Sequence, residues 1–126
     1  MNFLLVDDSI IIRTAIEKTL MEHPNARKFK FFNADNGKVA LQVLKSNFID
    51  LIFLDWNMPV MSGEDLINTM RETKAFNHVR IIMATTEGSK SQVIKMAKKG
   101  INGYLVKPFD KQGVIKVFDT VSARMH

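Results

Sequence analysis

Five polar residues stand where short apolar runs stop. Asp7 and Asp8 follow Phe3-Leu4-Leu5-Val6, Asp55 follows Leu51-Ile52-Phe53-Leu54, Thr85 follows the run from Val79 to Ala84, and Lys107 follows the run from Gly103 to Val106. Carboxylates, an ammonium and a hydroxyl form a set that suits a phosphoryl group, whose oxygens are stabilised by fixed donors and a bound cation. Three carboxylates held together repel one another, so the set needs that cation in any case. Hard oxygen ligands match Mg2+, which keeps several waters and takes one or two carboxylates directly. Asp7 and Asp8 are adjacent and suited to hold the metal, which leaves Asp55 as the nucleophile of an aspartyl phosphate. Taken singly, each residue has an ordinary structural explanation. Aspartate pairs cap helices, and a threonine or lysine at a strand end is commonplace. The chemistry depends on the five being brought together.

The elements between them predict that convergence. The run from Ile49 to Leu54 is interrupted only by Asp50 and is rich in β-branched and aromatic residues, as in a strand buried on both faces. Met58-Pro59 stops it, because the residue before proline is pushed out of helical geometry. Ser62 then caps a helix with Asp65 in its first turn, reaching about Thr73 with Leu66, Ile67 and Met70 inside. The pattern recurs along the chain. Ser9 caps a helix to about Met21, with Ile12, Ile16 and Leu20 as its inner stripe and Ala15 and Thr19 beside it. Residues 28–33 read as a second strand, with Phe29 and Phe31 on one face and Phe32 on the other. Asn36-Gly37 turns into a helix over 38–46. Ser89 or Ser91 begins a helix to Lys99 that Gly100 stops. Asp110 caps the last helix, to about Arg124. Five β-α units predict a doubly wound, flavodoxin-like (βα)5 fold: a five-stranded parallel sheet with helices on both faces. All carboxyl ends of such a sheet share one edge, where ligands bind. Residues 1–126 are expected to form one domain, with no effector domain.

Composition narrows the function. With no cysteine, a disulfide framework, a thiolate metal site and a cysteine nucleophile are excluded. No apolar run approaches membrane-spanning length, and Met1 to Val6 is too short for a signal peptide before Asp7-Asp8. A cytoplasmic monomer with no membrane partner is the expectation. The net charge is +5. Residues 1–86 hold ten basic and ten acidic side chains, whereas residues 87–126 hold eight and three, so the excess lies wholly in the last third. Nucleic acid is one partner class for such a protein; an acidic peptide meeting a basic patch is another. With no linker to a DNA-binding fold, a protein partner is expected and nucleic acid is not.

Several motifs stand in order at the predicted strand ends: Asp7-Asp8-Ser9, Asp55-Trp56-Asn57-Met58-Pro59 with Ser62-Gly63, Thr85, and Gly103-Tyr104-Leu105-Val106-Lys107-Pro108-Phe109. On these the chain resembles response-regulator receiver domains from end to end, and among them the single-domain regulators of chemotaxis. The resemblance implies that Asp55 accepts a phosphoryl group from a histidine kinase. It implies that Asp8 and Asp55 ligate Mg2+, with the backbone carbonyl of Asn57 as a further ligand and Asp7 acting through water. Lys107 would pair with the phosphoryl oxygens, Thr85 would swing in to hydrogen-bond one of them, and Tyr104 would turn inward behind it. That movement would remodel the face built from the fourth helix, fifth strand and fifth helix, where Lys90, Val93, Ala97, Ile101 and Tyr104 are the expected contacts. The implied target is a flagellar motor switch protein; a relay intermediate or phosphate sink is the alternative. Such a domain is a switch that catalyses its own phosphotransfer and dephosphorylation, not an enzyme with a separate substrate.

Two other classes fit less well. Phosphatases of the haloacid dehalogenase type place a second acid two residues after the nucleophile; here that position is Asn57, and the chain has no room for a substrate cap. A flavodoxin needs a phosphate-cradling loop after its first strand, where Asp7-Asp8 would repel a phosphate. Some positions depart from the chemotaxis regulators: Thr86 is larger than the usual residue after the switch threonine, Gly113 lies inside the last helix, and Gly88 loosens the loop into the fourth. Trp56 reads as a solvent-edge aromatic beside Asp55. His23, His78 and His126 carry no expected role.

Overall fold

Each strand is followed by a helix that returns across the sheet. The order is β1 (Asn2–Val6), α1 (Ile10–Met21), β2 (Lys30–Ala34), α2 (Gly37–Ser46), β3 (Leu51–Asp55), α3 (Gly63–Glu72), β4 (Arg80–Thr85), α4 (Lys90–Lys98), β5 (Gly103–Val106) and α5 (Lys111–Ala123). This computed structural model describes residues 1–86 and 90–125; Gly88, the helix start expected at Ser89, His126 and the side chain of Lys90 lie outside the described residues. The five strands form one parallel sheet in the order β2-β1-β3-β4-β5. This is the doubly wound order expected, and its reversal point falls between β1 and β3. Among the described residues no helix is long and apolar enough to cross a membrane.

Ser9, Ser62 and Asp110 cap as read, and Asn36, read with Gly37 only as a turn, caps α2 as well. Ser9, Asn36, Ser62 and Asp110 accept from the backbone N–H groups of Ile12, Val39, Asp65 and Gly113. Each thereby satisfies one of the orphan donors of a helix start. Gly100 ends α4 with φ at +84°, the left-handed conformation glycine adopts without a Cβ penalty. Several boundaries shift by a residue or two from expectation, two of them at strand starts with a visible local feature. A 3-10 turn at Ala26–Lys28 delays β2 to Lys30. β3 begins at Leu51 because Asp50 turns its carboxylate to accept the N–H of Asn2 at 2.7 Å.

Alternate strand residues feed two cores. Leu4, Ile52, Leu54, Ile81 and Met83 meet Ala40, Leu44, Leu66, Ile67, Met70 and Met96 on one face. Phe3, Leu5, Phe53, Ile82 and Ala84 meet Ile16, Leu20, Val114, Phe118 and Val121 on the other. Phe29 and Phe31 pack on the second core and Phe32 on the first. Every residue of β3 is buried, so it is anchored from both sides, each large apolar side chain contributing roughly 1.5–3 kcal/mol. Trp56 corrects the sequence reading. It is buried in the first core rather than set at the solvent edge. The chain folds back at once, and Trp56 lies under the start of α3, its carbonyl accepting the N–H of Gly63 at 3.1 Å.

Candidate functional site

The anchored strands deliver their polar ends to one edge. Asp7 follows β1, Asp55 ends β3, Thr85 ends β4 and Lys107 follows β5. Asp7, Asp8 and Asp55 each offer a carboxylate oxygen within 4.8 Å of the others. Asp7 and Asp55 are buried, and Asp8 is exposed. Lys107 Nζ lies 2.7 Å from Asp7 Oδ2 and 3.3 Å from Asp55 Oδ1.

The hydrogen bonds divide the labour between the carboxylates. Asp7 Oδ1 accepts the N–H of Ser9 at 2.9 Å and its Oδ2 takes the lysine, so both of its oxygens are engaged. Asp55 Oδ1 faces Lys107 and the N–H of Asn57, the latter at 3.4 Å. Its Oδ2 has no protein donor among the described residues. The open oxygens are therefore those of Asp8 and one of Asp55, hard donors suited to Mg2+. Asp7 stands behind them, tied to the lysine.

Burial pushes the Asp55 carboxyl above its usual range, and the charge of Asp7 adds to the rise; the charge and hydrogen bond of Lys107, then the N–H of Asn57, oppose it without cancelling it. For Lys107, burial acts downward, but the hydrogen bond and charge of Asp7, followed by those of Asp55, outweigh it and raise the ammonium's pKa. A protonated lysine is thus fixed beside the carboxylate that burial makes most costly to ionise.

Backbone contacts set the frame. The N–H of Lys107 donates to the carbonyl of Thr85 at 2.7 Å, tying the lysine's chain position to the buried threonine. A Cβ on Gly63 would lie 2.5 Å from the carbonyl oxygen of Asp55, so only glycine lets α3 start this close to the end of β3. Between them, Val60 has φ at +71°, and the N–H of Met61 donates to the carbonyl of Pro59 at 2.8 Å. That is a strained three-residue turn, and nothing in the amino-acid pattern announced it.

A family model described as response regulator receiver domain matches residues 3–119. The chain belongs to the response regulator receiver domain family. The receiver domain is 37% identical over 129 residues to the chemotaxis protein CheY of Pseudomonas aeruginosa, covering 97% of this chain and 99% of that one. It is 39% identical over 115 residues to the chemotaxis protein CheY homolog of Campylobacter jejuni, covering 89% of this chain and 85% of that one. Among solved structures, the chemotaxis response regulator CheY4 of Vibrio cholerae superposes with a TM-score of 0.85 at 32% identity, covering 95% of this chain and 97% of that one.

The residues expected on the output side are distributed unevenly in the receiver domain. Val93 is half-buried and Ala97 exposed. Ile101 and Tyr104 pack against the first core, and the Tyr104 hydroxyl oxygen is shielded from solvent. Among the described residues, the exposed large apolar side chains of α4 and β5 are Ile94, at 48%, and Val106, at 44%. Sequence reasoning missed both. Helical spacing from Met96, which is the fully buried α4 residue, would have placed Ile94 on the outer face. Lys95 and Lys98 are exposed, whereas Lys99 is paired with Glu64 at 3.0 Å.

Proposed function

We propose that this receiver domain is a stand-alone response regulator of chemotaxis signalling that takes a phosphoryl group on Asp55 and changes its affinity for a target protein. One observation carries the reading: Asp55, at the end of a strand buried on both sides, shares Lys107 with Asp7 through one oxygen, stands with the exposed Asp8 in one carboxylate cluster, and keeps its other oxygen without a protein donor among the described residues. In the reaction, an Asp55 oxygen attacks the phosphorus of a phosphohistidine on a kinase. The P–N bond breaks, the phosphoryl group stays on Asp55, and the histidine leaves as free imidazole. Water later attacks the phosphorus and returns the carboxylate with inorganic phosphate. Asp8, Asp55 and the carbonyl of Asn57 would hold Mg2+, which neutralises charge on the transferring group. Asp7 supports the site through Lys107 and would act on Mg2+ through water rather than directly. Lys107 binds a phosphoryl oxygen, and Thr85 closes on another.

The near-complete coverage of the CheY relatives supports an output made by the receiver domain's own surface, and we take the protein to act in the cytoplasm as a monomer. The target is a protein, with the flagellar motor switch as the leading class, and the docking face is that of α4, β5 and α5. Ile94 and Val106 join Val93, Ala97 and Tyr104 as apolar contacts, with Lys90, Lys95 and Lys98 steering an acidic peptide. The test is binding of an acidic, partly apolar motor-switch peptide with and without beryllofluoride as phosphoryl mimic. Tighter binding with the mimic, weakened more by Ile94→Ala than by Lys98→Ala, is expected. Equal affinity in both states would leave the target reading without support, since a ligand that binds both states equally shifts nothing.

A further inference from the structure

Helix α4 has little hold on the core. Among the described residues, Met96 is its one fully buried side chain, and Ile94 is nearly half exposed. The attachments at its C-terminal end run to α3. Arg71 Nη2 donates to the carbonyl of Gly100 at 2.8 Å and to that of Val79 at 3.4 Å. Lys99 Nζ pairs with Glu64 Oε1 at 3.0 Å. Just beyond, Asn102 is fixed to β4: its N–H donates to Ile81 and its side-chain oxygen accepts the N–H of Ile81, both at 2.8 Å.

Arg71 and Asn102 bind α4 to parts of the scaffold remote from the acceptor. Glu64 does not. It is the second residue of α3, directly after Gly63, whose backbone is pressed against the carbonyl of Asp55 and bonded to Trp56. A change in the acceptor loop that moves the first turn of α3 therefore moves the carboxylate to which Lys99 is attached. The hydrogen bond from the N–H of Gly63 to the carbonyl of Trp56, at 3.1 Å, ties that first turn to the residue next to Asp55.

We propose that Glu64 and Lys99 form a latch that couples the acceptor loop to the end of α4, a route separate from Thr85 and Tyr104. The inference rests on Asp55 being the acceptor. Glu64 is a positioning residue in this account: it touches neither metal nor phosphoryl group. Its static worth is small, since a half-exposed pair adds little to stability. Its effect lies in the difference between the two states.

The experiment compares the full chain with Glu64→Gln, Lys99→Gln and the exchanged pair Glu64→Lys with Lys99→Glu. Backbone amide shifts are recorded before and after adding beryllofluoride with Mg2+. In each single variant the response of residues 95–100 is expected to fall by about half or more, as for loss of a coupling contact. The responses of Trp56 and Thr85 should be retained, and melting temperatures should stay within about 2 °C of wild type. The exchanged pair should recover the α4 response. Wild-type responses in the single variants, or no recovery on exchange, would overturn the latch while leaving the acceptor reading intact. Absence of any beryllofluoride response at Trp56 and Thr85 in the wild type would overturn both.

Discussion

The ammonium of Lys107 lies nearer to Asp7, at 2.7 Å, than to Asp55, at 3.3 Å. The lysine is held chiefly by Asp7 and less closely by Asp55, the proposed acceptor. A phosphoryl dianion on Asp55 brings more charge within its reach, and charge-assisted bonds of that kind are among the strong ones. Lys107 is thus placed to transfer between partners without leaving the cleft. Lys107→Ala is expected to accept a phosphoryl group and fail to switch. Where the wild type gains roughly 5–150-fold in target affinity on adding beryllofluoride, the variant should gain almost nothing. A wild-type gain in a binding titration contradicts this role.

Asp55→Asn should stabilise the fold at neutral pH. The folded-state pKa of Asp55 is raised above 3.8, mainly by burial. The folded state therefore binds the proton more tightly than the unfolded state does. Ionised Asp55 opposes folding at neutral pH, and the penalty fades as pH falls through the raised value to below that of the unfolded carboxylate. An effect on the order of 1 kcal/mol, the common scale for one substitution, raises the melting temperature by roughly 4 °C in a domain of this size. The difference between variant and wild type should shrink toward pH 4, roughly where an unfolded aspartate titrates. A difference that widens on acidification runs against the assignment.

Mg2+ affinity should depend on Asp8 more than on Asp7. Asp8 is exposed and available, whereas both oxygens of Asp7 already have protein donors. Asp8→Ala is expected to weaken Mg2+ at least about tenfold, the scale on which even outer-shell changes act. Because Trp56 is buried beside Asp55, its fluorescence can follow the titration. Unchanged affinity in Asp8→Ala, measured by calorimetry if the tryptophan signal is silent, excludes Asp8 as a ligand.

The strain at Val60 can be relieved. A β-branched residue at φ +71° pays a steric penalty, roughly 1–2 kcal/mol, that glycine avoids. The side chain is 79% exposed, so little packing is lost on replacing it. Val60→Gly should raise stability by roughly 0.5 kcal/mol in chemical denaturation, the relieved strain less the chain entropy glycine costs, without altering Mg2+ affinity. Lower stability would mean that the valine makes a contact worth more than the strain.

The fold was legible because local signals agreed: Ser9, Ser62 and Asp110 cap where they should, Gly100 stops its helix, and the two-sided apolar run of β3 marks the centre of the sheet. Parallel pairing then brings Asp7, Asp8, Asp55, Thr85 and Lys107 to one edge without any knowledge of distances. What stayed hidden depends on tertiary detail. Trp56 reads as a rim residue until the chain's immediate return at Gly63 buries it. The preference of Lys107 for Asp7 is a difference of less than an ångström between two carboxylates. The α3 to α4 attachment joins residues distant in the chain, Glu64 with Lys99 and Arg71 with Gly100, and no spacing rule connects them.

The central claim is that Asp55 alone accepts the phosphoryl group. Intact-mass measurement after incubation with a small phosphodonor and Mg2+ tests it most directly. The wild type is expected to gain the mass of one phosphoryl group, labile to base as an acyl phosphate is, and Asp55→Asn is expected to gain none. Full labelling of Asp55→Asn under the same conditions would contradict the account.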